Sequence, residues 1–216
     1  MRTLLISIVF SLFSLLSLEA QNALNGQRSG LFDILSVDST DIVFLGNSLT
    51  DGCEWHELFA DNRIKNRGIS GDTASDIHRR LGSVVKGHPA KIFLMAGIND
   101  ISHGITADSI AGIVASIVDT IKDQSPSTDI YLQSCLPFNE SFKRWKKLEG
   151  TQRSIVMLND KLKRMASDKG IVWIDLYPLF SDGNDNLRPE LTNDGLHLLA
   201  PGYIIWRDAI VKYIKE

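Results

Sequence analysis

Residues 42–49 read Ile-Val-Phe-Leu-Gly-Asn-Ser-Leu, an apolar run that ends in a glycine-containing turn. A short run without polar residues is typical of a strand that is buried on both faces of a parallel sheet. Similar runs recur along the chain at Ile92 to Ala96, Ile130 to Leu132 and Ile171 to Ile174. A fifth run, Ile64 to Ile69, is more polar and is therefore predicted to be an edge strand.

Helical patterns lie between these runs. They cover Asp72 to Val85, Ala107 to Lys122, Gln152 to Lys169 and a C-terminal segment that begins at Pro201. Proline is favoured in the first turn of a helix, and apolar residues at helical spacing indicate packing on a core. Strands that alternate with helices predict a doubly wound α/β domain, a three-layer sandwich with a parallel sheet covered on both faces.

Polar segments that contain glycine follow the predicted strands. They are Gly46 to Leu49, Gly68 to Thr73, Gly97 to Asp100 and Asp194 to His197. Parallel strands separated by helices present their carboxyl ends at one edge of the sheet, where ligands bind. We therefore expect these four segments to converge on one cleft.

Three residues in these segments are suited to nucleophilic catalysis. A serine hydroxyl attacks well only when an imidazole takes its proton, and a carboxylate on the other ring nitrogen holds that imidazole in place. Ser48, His197 and Asp194 supply this set, in a chain order that serine hydrolases use. Asp194 and His197 are three residues apart, which brings two side chains to the same side of a helical turn.

Acyl transfer also needs hydrogen-bond donors where the carbonyl oxygen gains charge. The candidates are the backbone N–H groups of Ser48 and Gly71 and the side-chain amide of Asn99. Gly71 precedes a helix that Thr73 and Asp76 are predicted to cap, and a helix N-terminus favours an anion.

The motifs GNSL, RGISGDT, AGIND and DGLHL resemble, in order, the four signature blocks of the SGNH-hydrolase (GDSL) family. The resemblance extends from about Asp41 to Trp206. It implies a flavodoxin-like sandwich with strand order 2-1-3-4-5 and a carboxylic ester hydrolase that needs no cofactor. It also implies that Ser48 is the nucleophile and first oxyanion donor, Gly71 and Asn99 are the other donors, and His197 is the base supported by Asp194.

One position departs from the family pattern. The first block of the family usually reads GDSL, and in this chain Asn47 stands where the aspartate is usual. The family triad does not use that residue. We expect Asn47 to support the turn through hydrogen bonds and the reaction class to be unchanged.

Four further residues have two interpretations each. His103 lies four residues after Asn99, so it is the alternative base and a candidate substrate contact. Phe138 precedes, and Trp145 lies in, the basic, irregular stretch from Asn139 to Lys147 after the fourth strand. Both are expected either to line the substrate pocket or to cover the core. Trp55 shares a helix face with apolar residues, which favours a core position over a sugar-stacking one.

The N-terminus predicts export. Arg2 is followed by an apolar run from Leu4 to Leu18 and then by Glu19-Ala20, the pattern of a secretory signal peptide cleaved after Ala20. The run is shorter than the roughly 20 apolar residues that span a bilayer, so stable membrane insertion is the weaker alternative. Residues 21–216 are predicted to form one domain, periplasmic or secreted. Cys53 and Cys135 follow different strands, which favours buried free thiols over a disulfide.

Composition and motifs exclude several functions. The net charge of −3, with basic and acidic residues interspersed, does not favour a nucleic-acid partner. The spacing of His and Cys residues gives no metal site, and the Gly-Asn-Ser turn lacks the glycines and lysine of a phosphate-binding loop. The oligomeric state stays open.

We expect the substrate to be a small-molecule or glycan ester, with a short acyl group, acetyl above all, on a carbohydrate-type alcohol. A compact chain leaves little room for a long acyl tunnel. The alternatives are a lysophospholipase or thioesterase for longer acyl chains, and a non-catalytic carbohydrate-binding domain on the same fold. Such a binding domain would be expected to lack at least one of the four blocks, all of which are present.

Overall fold

A computed structural model of the protein describes residues 26–215. The chain divides into two compact units, one that ends at Leu35 and one that begins at Ser36. In the first unit, residues 26–34 form a helix. The predicted signal peptide, residues 1–20, lies outside the described residues, and the single domain over 21–216 stays a prediction. Within residues 26–215, no helix is both long and apolar enough to cross a membrane.

The second unit is built on a five-stranded sheet. Its strands are β1 (Ile42–Gly46), β2 (Ile64–Gly68), β3 (Lys91–Leu94), β4 (Asp129–Gln133) and β5 (Val172–Ile174). All neighbouring pairs are parallel, and the order is β2-β1-β3-β4-β5. The predicted α/β fold, the strand order and the polar edge strand β2 are confirmed.

Helices cover both faces of the sheet. They are α1 (Ser48–Asp51), α2 (Trp55–Phe59), α3 (Ala74–Arg79), α4 (Gly82–Val85), α5 (Ile98–Ser102), α6 (Ala107–Gln124), α7 (Gln152–Asp168), α8 (Tyr177–Phe180) and α9 (Ala200–Lys215). The prediction of one helix from Asp72 to Val85 is wrong, because this segment forms the two short helices α3 and α4. Tight turns separate them: the Leu81 N–H donates to the His78 carbonyl and the Val84 N–H to the Leu81 carbonyl. Gly82, a poor helix former, begins α4.

Side chains alternate between the two faces of β1 and feed two hydrophobic cores. Val43 and Leu45 pack in a core with α3, α6 and α7, whereas Ile42 and Phe44 pack in a core with α2 and α9. In the second core, the Phe44 ring stacks on Phe93 at 5.1 Å between centroids. Each fully buried side chain of this size contributes about 1.5–3 kcal/mol to folding. The cores fix the strands, and so the strand ends, in position.

The structure decides between the interpretations of Trp55 and of the two cysteines, all of which lie in the hydrophobic cores. Trp55 is fully buried, stacks on Phe44 at 4.5 Å and donates its indole N–H to the Thr50 carbonyl. It is therefore a core residue, as the helical pattern favours. Cys53 and Cys135 are both buried and unbridged, which agrees with the free-thiol interpretation.

Candidate active site

Ser48 lies at the start of α1, directly after β1. Asn47 caps this short helix, because its side-chain oxygen accepts a hydrogen bond from the Leu49 N–H at 3.1 Å. Asn47 therefore supports the turn, as expected. Its Nδ2 atom is buried and has no hydrogen-bond partner among the described residues. The half-buried Ser48 hydroxyl is thus displayed at the carboxyl end of the strand.

His197 and Asp194 lie beside Ser48. His197 Nε2 is 3.0 Å from Ser48 Oγ, and His197 Nδ1 is 2.7 Å from Asp194 Oδ2. The helical turn predicted for this pair is wrong, since residues 193–197 form a bend. The other Asp194 oxygen closes this bend by accepting the N–H groups of Leu196 and His197, both at 2.8 Å. The structure brings the three predicted side chains into one hydrogen-bonded row.

The surroundings of Asp194 keep it ionised. Burial alone would raise its pKa, but hydrogen bonds from the His197 ring and from the backbone N–H groups of Leu196 and His197 outweigh that effect. The net result is a pKa below the ordinary carboxyl value. An ionised Asp194 holds the proton of His197 on Nδ1, which leaves Nε2 free to accept the proton of Ser48.

The predicted oxyanion donors come from three loops at the same sheet edge. Gly71 precedes α3 with a φ of +87°, a left-handed conformation that favours glycine. No hydrogen bond among residues 26–215 engages the N–H groups of Ser48 or Gly71. Asn99, at the start of α5, donates one Nδ2 hydrogen to the Asp72 carbonyl at 2.9 Å. The second Nδ2 hydrogen makes no hydrogen bond among the described residues and is available as a donor.

Helix α3 has the predicted cap. Thr73 Oγ1 accepts from the Asp76 N–H, and the Asp76 carboxylate accepts from the Thr73 N–H, so the capping box is complete. The fully buried Asp100 adds a second anchor, because both its oxygens accept from the Ala74 N–H at 3.0–3.1 Å. Two functional loops, those of Gly71 and Asn99, are thereby held together.

Arg80 joins the same network to β1. Its Nε donates to Asp72 at 2.6 Å and its guanidinium also donates to the Gly46 carbonyl at 2.9 Å. Burial raises the pKa of Asp72 despite this cation, and burial likewise raises the pKa of Asp100. The sequence alone did not indicate the roles of Arg80, Asp72 and Asp100. The only sequence signal was that both aspartates stand inside the motifs RGISGDT and AGIND.

The three remaining candidate substrate contacts differ in burial and in their contacts with the site. Phe138 is fully buried in the hydrophobic core, so its prediction as a substrate contact is corrected: its ring packs among apolar side chains. Trp145 is 36% exposed, and its ring meets the His197 ring edge-on at 5.2 Å between centroids. His103 caps the end of α5 through its backbone, and no hydrogen bond among the described residues joins its ring to Ser48.

Residues 26–215 contain no group of three His, Cys, Asp or Glu side chains arranged to hold a metal ion.

The geometry agrees with the comparisons to known proteins. A profile of the GDSL-like lipase/acylhydrolase family matches residues 44–205. The chain belongs to this family. It is 31% identical to the platelet-activating factor acetylhydrolase IB subunit alpha1 of Bos taurus over 189 residues, which cover 83% of this chain and 78% of the relative.

Solved structures of GDSL-type hydrolases have the same fold as this chain. A GDSL-like lipase of Bacteroides thetaiotaomicron is 27% identical, with a TM-score of 0.76 and coverage of 88% of this chain and 97% of the other. An acetylxylan esterase of Geobacillus stearothermophilus is similar at a TM-score of 0.67 over 84% of this chain and 96% of the other. At 19% identity the latter likeness shows the fold alone. This GDSL-type acylhydrolase is a carboxylic ester hydrolase.

Proposed function

We propose that this acylhydrolase is an exported serine esterase with Ser48 as nucleophile and the His197–Asp194 pair as its base. The observation that carries the proposal is the continuous row from Ser48 Oγ to His197 Nε2 and from His197 Nδ1 to Asp194. A hydroxyl, an imidazole and a carboxylate in this geometry form the activating set that acyl transfer needs.

The reaction proceeds in two halves. Ser48 Oγ attacks the ester carbonyl carbon while its proton passes to His197 Nε2. The resulting oxyanion accepts hydrogen bonds from the backbone N–H groups of Ser48 and Gly71 and from the Asn99 side chain. His197 then returns the proton to the departing alcohol, which leaves an acyl-serine. Water, deprotonated by His197, attacks the acyl-serine and releases the acid and Ser48.

The proposed acyl group is short, acetyl above all. The connection after β4, residues 134–151, contains two short 3-10 turns, and its apolar side chains Phe138 and Leu148 are buried in the core. A longer acyl chain would gain about 0.8 kcal/mol per methylene only against apolar walls. The name of the acetylhydrolase relative supports the same acyl preference.

The alcohol is proposed to be of the carbohydrate type, outside the cytoplasm. The signal-peptide pattern of residues 1–20 supports export. N-terminal sequencing of the protein secreted from the full-length gene tests this part. A mature chain that begins after Ala20 is the expected result, and a chain that retains residues 1–20 would contradict it.

The function is tested with p-nitrophenyl esters of acetate, butyrate and octanoate and with acetylated xylan. We expect kcat/KM to be highest for acetate and to fall with chain length, and acetate to be released from the polymer. Ser48→Ala should abolish each activity. A kcat/KM that rises steadily to octanoate would favour the lysophospholipase or thioesterase alternative, with the same three catalytic residues.

A further inference from the structure

A basic loop follows β4. It comprises residues 139–149 and includes the run Lys143-Arg144-Trp145-Lys146-Lys147. All five side chains of this run are exposed, and the four cations form no ion pair within residues 26–215. The loop has four cations against two acids, a net charge of +2, so the rest of a chain whose total is −3 carries −5. The protein thus concentrates exposed positive charge in one segment of an acidic molecule.

The basic loop is fixed against the active site. The Asn139 N–H donates to the Gly195 carbonyl at 2.7 Å, and the Asn139 side chain accepts from Ser141 and donates to the Leu187 carbonyl. Gly195 has a φ of +89°, and a Cβ there would collide with the Asn139 carbonyl. This close approach joins the loop directly to the bend that carries Asp194 and His197.

The loop also reaches the other side of the site. Its second 3-10 turn, Lys146–Leu148, packs on α5, the helix that begins beside Asn99. Between these two anchors, Trp145 meets His197 edge-on. Lys143, Arg144, Lys146 and Lys147 therefore flank in sequence a residue, Trp145, whose ring contacts the proposed base, which protonates the departing alcohol.

We propose that Lys143 to Lys147 bind the alcohol side of the ester, and that this alcohol is an acidic sugar. The Trp145 indole offers an aromatic face to the sugar ring, and the lysines and Arg144 receive its carboxylate. A guanidinium binds a carboxylate through two parallel hydrogen bonds, and lysine ammonium groups add point charges. The inference rests on the proposed esterase function and names its substrate class.

An acidic sugar fits the loop better than an anionic bilayer does. Binding in a membrane interface requires a broad apolar face together with cations. Trp145 is the one large apolar side chain of the loop that is exposed, since Leu148 is buried and Phe142 is partly covered. Trp145 is moreover held against His197, so insertion of its ring into lipid would remove it from the site.

The substrate test uses one polymer in two charge states. Acetate release is measured from O-acetylated polygalacturonate with free carboxylates and from the same polymer after methyl esterification. We expect kcat/KM to be at least about tenfold higher for the charged polymer at low salt. This preference should shrink as the Debye length falls from about 10 Å at 0.1 M to about 3 Å at 1 M salt.

Matched variants assign the effect to the loop. The loop variant combines Lys143→Gln, Arg144→Gln, Lys146→Gln and Lys147→Gln. It should lose the preference for the charged polymer, mainly through a change in KM. The control combines Lys86→Gln, Lys163→Gln, Arg164→Gln and Lys215→Gln, exposed cations on other elements, with the same change of net charge. This control should keep the preference. Equal rates on the two polymers, or equal losses in the two variants, would overturn the inference.

A binding measurement separates this inference from the proposed function. Calorimetry with Ser48→Ala and polygalacturonate should give an affinity that the loop variant loses and the control variant keeps. If no ester is hydrolysed but this binding occurs, the esterase proposal fails and only the binding of an acidic sugar by the loop stands. If esters are hydrolysed without such binding, the inference alone fails. Loop-dependent activation by phosphatidylglycerol vesicles, without polygalacturonate binding, would replace the sugar by a lipid surface.

Discussion

His197 Nε2 lies 3.0 Å from Ser48 Oγ, although the two residues are 149 positions apart in the chain. Ser48 begins α1, two residues after the end of β1, and the bend before α9 presents His197. A hydrogen bond over this distance in sequence exists only because the sheet and α9 are packed on the same core. Every prediction about activity depends on this contact or on the groups that support it.

Ser48→Ala should lower esterase turnover by several orders of magnitude without unfolding the protein, since the change removes only one hydroxyl. Turnover of p-nitrophenyl acetate and the thermal midpoint are the two measurements. A serine-directed phosphonate should label Ser48 in the wild type and nothing in the variant. Labelling of a different serine would refute its role as nucleophile.

His197→Ala should be almost inactive, whereas His103→Ala should retain most of its turnover. In the wild type, kcat/KM should fall on acidification, because the general base must be unprotonated to accept the Ser48 proton. Asp194 has a lowered pKa, so it stays ionised through this range and the acid limb should report one proton. A pH–rate profile from pH 4 to 9 measures this. Inactivity of His103→Ala would mean that the base is wrongly assigned.

Asn99→Ala should lower kcat by about 10² to 10³ with little change in KM, because its hydrogen bond strengthens only as charge develops on the oxygen. Asn99 also holds the Asp72 carbonyl, so the free energy of unfolding is measured in parallel. Steady-state kinetics at a fixed pH distinguishes the two parameters. An effect on KM alone would argue against a place in the oxyanion hole.

Arg80→Met should reduce the free energy of unfolding by about 3–5 kcal/mol at pH 7, because Asp72 would lose its cation while buried. The pKa of Asp72 is raised, so the folded protein binds this proton more tightly than the unfolded chain does. The stability deficit should therefore shrink as the pH falls and Asp72 becomes protonated. Urea unfolding at pH 7 and at pH 4.5 tests this sign.

The control for that measurement is Arg79→Met. Arg79 is the neighbouring residue and also pairs with an aspartate, but its side chain is 74% exposed. An exposed pair contributes less than about 1 kcal/mol, so this variant should be close to wild type at both pH values. Equal losses in the two variants would show that the buried network does not hold the loops.

Both cysteines should resist a thiol reagent in the native protein. Burial raises the pKa of the Cys53 and Cys135 thiols to about 12, so little thiolate is present at pH 8. Titration with Ellman's reagent should be slow in buffer and should give two thiols per chain in guanidinium chloride. No thiol in the denatured, unreduced protein would mean that a disulfide forms.

The sequence alone was sufficient for the fold and for the residues that form the hydrogen-bonded row. Apolar runs such as Ile42 to Leu45 predict buried strands because parallel sheets covered by helices have no solvent face. Ser48, Asp194 and His197 could be named because they stand in motifs that resemble a known family. The approximate ends of most strands and helices also followed from local patterns.

Tertiary structure alone decided which side chains face the site. Phe138 and Trp145 stand seven residues apart in the same polar stretch, yet one is fully buried and the other meets His197. Likewise, the pairing of Arg80 with Asp72 and Gly46 depends on how α3 docks beside β1. Local sequence patterns indicate the type of each element and which of its faces is buried. They do not indicate which side chains of different elements come into contact when the elements pack together.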